Sequence, residues 1–197
     1  MIDSDHIRFS NLHVHYALSF IDIVGSTVLV SKLSGREADL LYTTFLNDLA
    51  KIITANGGVI IKTIGDGMIY YFPKTDFGVL EDFEQVLHVG LEVLHERGNI
   101  NKILAKNNLP EIDYRVSASF GPVSVIEDDD DVIDDLFGTT VNTCAKMNKL
   151  AAPNTMIIGS ALHQKVEKTK KFTMHEHEKL VLDDHLSYMT YIVDREN

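Results

Sequence analysis

At 197 residues and 22.1 kDa the chain has the size of one domain, and its 45% hydrophobic content with 12 glycines and 4 prolines excludes a disordered or fibrous protein. Its formal net charge of −11 argues against a nucleic-acid partner, which would need a compensating basic patch. The small cluster Lys168, Lys170 and Lys171 reads as a solvated helix end.

In chain order, Met1–Asp5 is acidic and lacks the basic start of a signal peptide. Residues 15–23 are apolar and β-branched and predict a buried strand. The surrounding apolar stretch, residues 16–30, contains Asp22 and is too short to span a bilayer. Ser26 or Thr27 is placed to cap the next segment. Leu40, Leu41, Phe45, Leu49, Ile52 and Ile53 make one stripe of a helix over 35–55, ended by Asn56-Gly57-Gly58. Residues 59–64 and 68–72 predict a hairpin turning at Gly65-Asp66-Gly67, an Asp-Gly pair suited to positive φ. A second amphipathic helix is expected over 76–97, then a polar connection over 101–110. Residues 112–120 alternate as a half-buried strand, Gly121-Pro122 is read as a turn, and 123–126 as the returning strand. The acidic run from Glu127 reads as a solvated loop. A helix over 141–150, a strand over 156–158, a helix over 160–166 and strands near Phe172 and over 188–193 complete the order. This predicts an α+β sandwich in a single domain over residues 1–197. The lone cysteine, Cys144, excludes an internal disulfide, fits a reducing compartment and is expected to be packed; a cytoplasmic protein with no membrane segment is the expectation.

Two positions carry the chemistry. Asp22 and Asp66 each follow a β-branched apolar run and each has glycine close by. Two carboxylates brought to one rim by adjacent strands can hold hard divalent cations and hence a nucleoside triphosphate. Taken singly, Asp22 also reads as a strand-end cap and Asp66 as a turn residue. His13 with His15, and His175 with His177, share strand faces but offer too few ligands for a soft-metal site. No Gly-x-x-x-x-Gly-Lys-Ser/Thr phosphate loop occurs.

Three blocks stand in order: Phe20-Ile21-Asp22-Ile23-Val24-Gly25-Ser26-Thr27, then Gly58 through Ile61-Lys62-Thr63-Ile64-Gly65-Asp66-Gly67, then Phe137-Gly138-Thr139-Thr140-Val141-Asn142. In these the chain, over about residues 17–193, resembles the class III nucleotidyl cyclase catalytic domain, the family of adenylate and guanylate cyclases. The resemblance implies a ferredoxin-like βαββαβ core with additional strands and helices. It implies a head-to-tail homodimer, and two Mg2+ or Mn2+ ions held by Asp22, Ile23 and Asp66. Lys62 and Asp135 match the base readers. A lysine donates to adenine N1 and an aspartate accepts from the amino group, which favours ATP. Asn142 matches the ribose-orienting residue, and Lys146 stands where the family usually has arginine; charge is kept and the planar fork lost. The family's C-terminal phosphate-gripping lysine has no counterpart in Leu180-Val181-Leu182-Asp183, which leaves Lys179, Arg115 or the Gly25-Ser26-Thr27 backbone for the polyphosphate. An adenylate cyclase is expected; whether it is regulated by a partner, by phosphate or bicarbonate, by dimer concentration or not at all is left open by the sequence. The alternatives are a catalytically degenerate nucleotide-binding module and a cyclase of the same class using GTP, CTP or UTP.

Overall fold

The apolar run around residue 20 is longer than expected and becomes the spine of the sheet. In a computed structural model, which describes residues 8–127, 133–183 and 186–196, β1 spans Arg8–Ile23. The order then runs α1 (Ser26–Val30), α2 (Gly35–Ala55), β2 (Val59–Ile64), β3 (Gly67–Phe72) and a 3-10 turn (Pro73–Phe77). It continues with α3 (Leu80–His95), α4 (Arg97–Lys106), β4 (Tyr114–Glu127), β5 (Ile133–Phe137) and α5 (Thr139–Asn148). Last come β6 (Met156–Gly159), α6 (Ser160–Val166), β7 (Phe172–Asp183) and β8 (Leu186–Arg195).

The sheet order is β2-β3-β1-β4-β6-β8-β7, with β5 paired to β4. The segment β4-β1-β3-β2, antiparallel throughout and joined by helices after β1 and β3, is the ferredoxin-like βαββαβ core. One face is covered by α2, whose Leu41, Phe45, Leu49 and Ile53 are fully buried at helical spacing, and by α3 through Phe83, Val86 and Leu87. The other face packs Leu18, Ile69, Val125 and Leu136 beneath Cys144 of α5, so that cysteine is buried as expected. Ser34 caps α2 and Glu37 returns the bond to the Ser34 N–H, a capping box. No helix among the described residues is long and apolar enough to cross a membrane.

Several expectations need correction. The cap before the short α1 is Gly25 in a left-handed conformation (φ +69°), not Ser26 or Thr27, which belong to the helix itself. The expected 76–97 helix is a 3-10 turn followed by α3, which stops at His95. The polar stretch after it is α4, whose buried side carries only two apolar residues, Ile100 and Leu104, beside the buried Asn101, too sparse an apolar stripe to signal a helix. Gly121-Pro122 does not turn the chain. The strand runs through it, because residues 119–123 have only β1 beside them and proline's missing N–H breaks no ladder bond there. Residues 123–126 therefore pair with β1 and β5 instead of folding back. Ile133–Phe137 of the acidic segment is strand β5; residues 128–132 lie outside the described residues. In the first hairpin the two turn residues are Gly65 and Asp66, with Gly65 alone at positive φ (+60°). That is the II′ pattern, and it leaves Asp66 in ordinary backbone space.

Candidate active site

The β1–β3 pairing brings the two aspartates together. Ile21 pairs with Met68, so Asp22 at the next step along β1 meets the Gly65-Asp66 turn that leads into β3. The approach depends on Gly67. A Cβ built there would lie 2.4 Å from the Ile21 carbonyl oxygen, closer than any side chain tolerates. Burial first, and the Asp66 charge second, push the Asp22 carboxyl up; Arg115 opposes both without cancelling them. Arg115 stands directly across the β1–β4 ladder, its guanidinium 3.2 Å from Asp22 Oδ2. The same side chain reaches the Lys149 and Ala151 carbonyls, at 3.3 and 3.4 Å, while its buried Nε has no partner.

Asp66 Oδ2 is buried and accepts no hydrogen bond among the described residues. A buried carboxylate oxygen without a donor is costly, and a divalent cation between Asp22 and Asp66 removes that cost. The pair fits a hard, oxygen-seeking ion. No group of three or more His, Cys, Asp or Glu side chains that could hold a metal forms among the described residues, so carbonyls, waters or substrate oxygens would have to complete the coordination. The sign of the Asp22 shift makes a prediction. A raised folded-state pKa stabilises the fold at low pH, and that contribution is lost as pH rises through it. The chelated protein should therefore lose stability as pH rises from the ordinary carboxylate range. The melting-temperature gain from Mn2+ should grow over the same interval. A Mn2+ effect that is flat with pH would contradict this.

A second cluster forms on β2 and β5. Lys62 makes a short ion pair with Asp135, 73 residues away, and its Nζ lies 5.7 Å from the centre of the Phe137 ring. Asp135 also accepts the Leu136 N–H at 2.8 Å. Lys62 keeps N–H donors and Asp135 keeps lone pairs, so donor and acceptor stand side by side. Phe137 was not singled out from sequence. Its signal was available, since Asp135 and Phe137 alternate on one strand and share a face.

Asn142 and Lys146 stand exposed one turn apart on α5, paired with neither cluster. Ser26 is buried and Thr27 exposed at the start of α1, whose first turn has no side-chain cap. The Ile23 side chain is in the core at 2% exposure, which leaves its main-chain carbonyl as the only group it can offer a metal. Lys179 is an exposed residue of β7. One chain thus unites Asp22, Asp66 and Arg115 in one place and Lys62, Asp135 and Phe137 in another.

The family model described as "Adenylate and Guanylate cyclase catalytic domain" matches residues 10–195. Among relatives, an adenylate cyclase of Streptomyces coelicolor is 25% identical over 154 residues, covering 78% of this chain and 35% of the relative. A cytidylate cyclase of Staphylococcus aureus is 24% identical over 182 residues, covering 88% and 42% respectively. The chain therefore spans well under half the length of these relatives. Among solved structures, the adenylyl cyclase CyaB of P. aeruginosa superposes with a TM-score of 0.83 at 17% identity, covering 94% of this chain and 96% of that one. The guanylyl cyclase Cya2 superposes at 0.80, also at 17% identity, covering 92% of each chain. At these identities the structural likeness shows the fold.

Proposed function

We propose that this chain, which belongs to the adenylate and guanylate cyclase catalytic domain family, converts ATP to 3′,5′-cyclic AMP and pyrophosphate as a single catalytic domain in a cytoplasmic homodimer. The observation that carries this reading is the Asp22–Asp66 pair with its orphaned buried oxygen.

Asp22, Asp66 and the Ile23 carbonyl would hold two Mg2+ or Mn2+ ions, which supply the charge that acidifies the ribose 3′-hydroxyl and neutralises the leaving pyrophosphate. The chain's own groups do the rest. Arg115, beside Asp22, is placed to take the polyphosphate, as are the main-chain N–H groups of Gly25, Ser26 and Thr27 at the uncapped first turn of α1. Lys62 donates to adenine N1 and Asp135 accepts from the N6 amino group. Asn142 orients the ribose, and Lys146 brings positive charge to the transferring phosphoryl group. The separation of the two clusters within one chain favours a site completed by a second copy, with the metal aspartates from one and the base and ribose residues from the other.

Lys146 lacks the bidentate fork of an arginine. Lys146→Arg should raise kcat about tenfold or more with little change in KM, because the added contact develops with transition-state charge. Unchanged kcat would remove Lys146 from this role.

A second reading concerns the base. Cytosine also presents an amino donor beside a ring-nitrogen acceptor, so the same Lys62–Asp135 polarity suits CTP and disfavours GTP and UTP. The similarity to a cytidylate cyclase supports keeping it. The test incubates the protein with ATP, GTP, CTP and UTP separately, with Mg2+ and then Mn2+, and resolves products by mass spectrometry. Cyclic AMP, lost in Lys62→Glu, supports the adenylate reading. Cyclic CMP with the same loss transfers it to CTP. Cyclic GMP or UMP discards the base assignment. Nucleotide binding without any cyclic product means a degenerate module.

A further inference from the structure

The sheet has a gap along β4 that ends where Ser124 pairs with Phe137. Along β4, residues 116–118 pair with β6, and pairing with β5 begins only at Ser124. Residues 119–123 therefore have β1 on one side and no strand on the other. Thr139 and Thr140, which open α5, and the α6 residues Ser160, Gln164 and Lys165 close over this gap and leave a cavity of about 340 Å3.

Four observations characterise the cavity. Ser119 and Thr143 line it at 6% and 7% exposure, and neither hydroxyl has a hydrogen-bond partner among the described residues. Hydroxyls that line a cavity with no protein partner are free to donate to a molecule that enters it. The helix that opens into the cavity, α5, is ten residues long, and its cap, Gly138, provides no side-chain acceptor. In a chain with 29 acidic residues, none of the lining residues is Asp or Glu, and Lys165 is the one charged group among them. That ammonium is held above two aromatic rings, 5.2 Å from the centre of Phe120 and 5.7 Å from that of Phe83.

We propose that this gap is a binding site for a small oxyanion of the phosphate class, separate from the Asp22–Asp66 centre. Ser119 and Thr143 donate their hydroxyl hydrogens, Lys165 supplies the opposing charge, and the start of α5 adds a favourable dipole. Donors from β4, α5 and α6 converge from different sides. That suits a tetrahedral anion with oxygens in every direction better than a carboxylate with two in one plane. The absence of acidic residues from its lining leaves the cavity open to anions on a protein of net negative charge.

The test is calorimetric titration of the full chain with inorganic phosphate and, separately, with pyrophosphate, in chelator so that metal-dependent binding is suppressed. Binding of either anion is expected, weakened about tenfold by Thr143→Val, which keeps the side chain's shape, and about tenfold by Lys165→Gln, which is exposed and leaves the core intact. Arg115→Ala should leave the orthophosphate binding that depends on Thr143 and Lys165 unchanged, which separates this site from the catalytic one. Stronger binding of pyrophosphate, with the same sensitivity to Thr143 and Lys165, makes the reaction product the source; stronger binding of orthophosphate makes free phosphate the source. No heat with either anion overturns the proposal. So does affinity that survives Lys165→Gln and disappears in Arg115→Ala. Melting curves of each variant show that it is folded, and Lys165→Gln carries the test if Thr143→Val is not.

Discussion

Asp66→Ala should reduce cyclic nucleotide formation by at least about a thousandfold, several kcal/mol of transition-state charge stabilisation, while leaving the fold intact. The second half of that expectation comes from the structure. Asp66 Oδ2 is buried without a hydrogen-bond partner, and the Asp66 charge is, after burial, the largest influence raising the Asp22 carboxyl. Removing it takes away an unsatisfied acceptor and a like-charge contact, so the metal-free variant should melt no lower than the parent. It should also lose most of the stabilisation by Mn2+. Assay of turnover beside melting curves with and without Mn2+ measures all three. Turnover retained in Asp66→Ala would remove the metal role, and so would an undiminished Mn2+ shift. A large fall in melting temperature in chelator would instead make Asp66 a structural turn residue, the plainer reading open from the sequence.

Gly67→Ala, one residue on, should damage both stability and activity by a different route. The added methyl would sit 2.4 Å from the Ile21 carbonyl oxygen, a backbone atom that cannot rotate away. The β2–β3 hairpin must retreat from β1. We expect a loss of about 1–3 kcal/mol, the usual range for overpacking. The same retreat carries Asp66 away from Asp22, and a displacement of about 1 Å is enough for a loss near hundredfold in turnover. Gly90→Ala is the matched control. Its Cβ would come equally close, at 2.4 Å, but to the sulfur of Met156, the far end of a flexible side chain that can move. Its activity should stay near that of the parent. Equal losses in both variants would mean that crowding in general, and not the Asp22–Asp66 approach, sets the effect.

How much of this was legible beforehand differs from element to element. The stripe Leu41, Phe45, Leu49, Ile53 is a local pattern, and its helix appeared over the residues expected. The hairpin was legible from its glycines, although which of them takes positive φ was not. The α4 helix escaped because it buries only Ile100, Asn101 and Leu104, a stripe that looks polar in sequence. Gly121-Pro122 misled because a proline stops a strand only where its missing N–H faces a partner, and the absence of a partner along 119–123 depends on where β6 ends and β5 begins. β5 was hidden in an acidic segment whose pairing with β4 no local signal announces.

The same division holds for the site. Asp22 and Asp66 could be named as candidates from their own settings, strand ends beside glycines, whereas Lys62, Asp135, Asn142 and Lys146 were candidates through the resemblance to the cyclase family. Their partners could not. Arg115 faces Asp22 across 93 residues of sequence, Lys62 meets Asp135 across 73, and both contacts exist only because particular strands are neighbours in one sheet. Strand ends, turns and helix stripes are written in steric and hydrophobic periodicity over a few residues. Cross-strand pairings, the orphaned oxygen of Asp66 and the gap beside β4 are decided by register and strand order, which depend on how the whole chain buries its apolar faces.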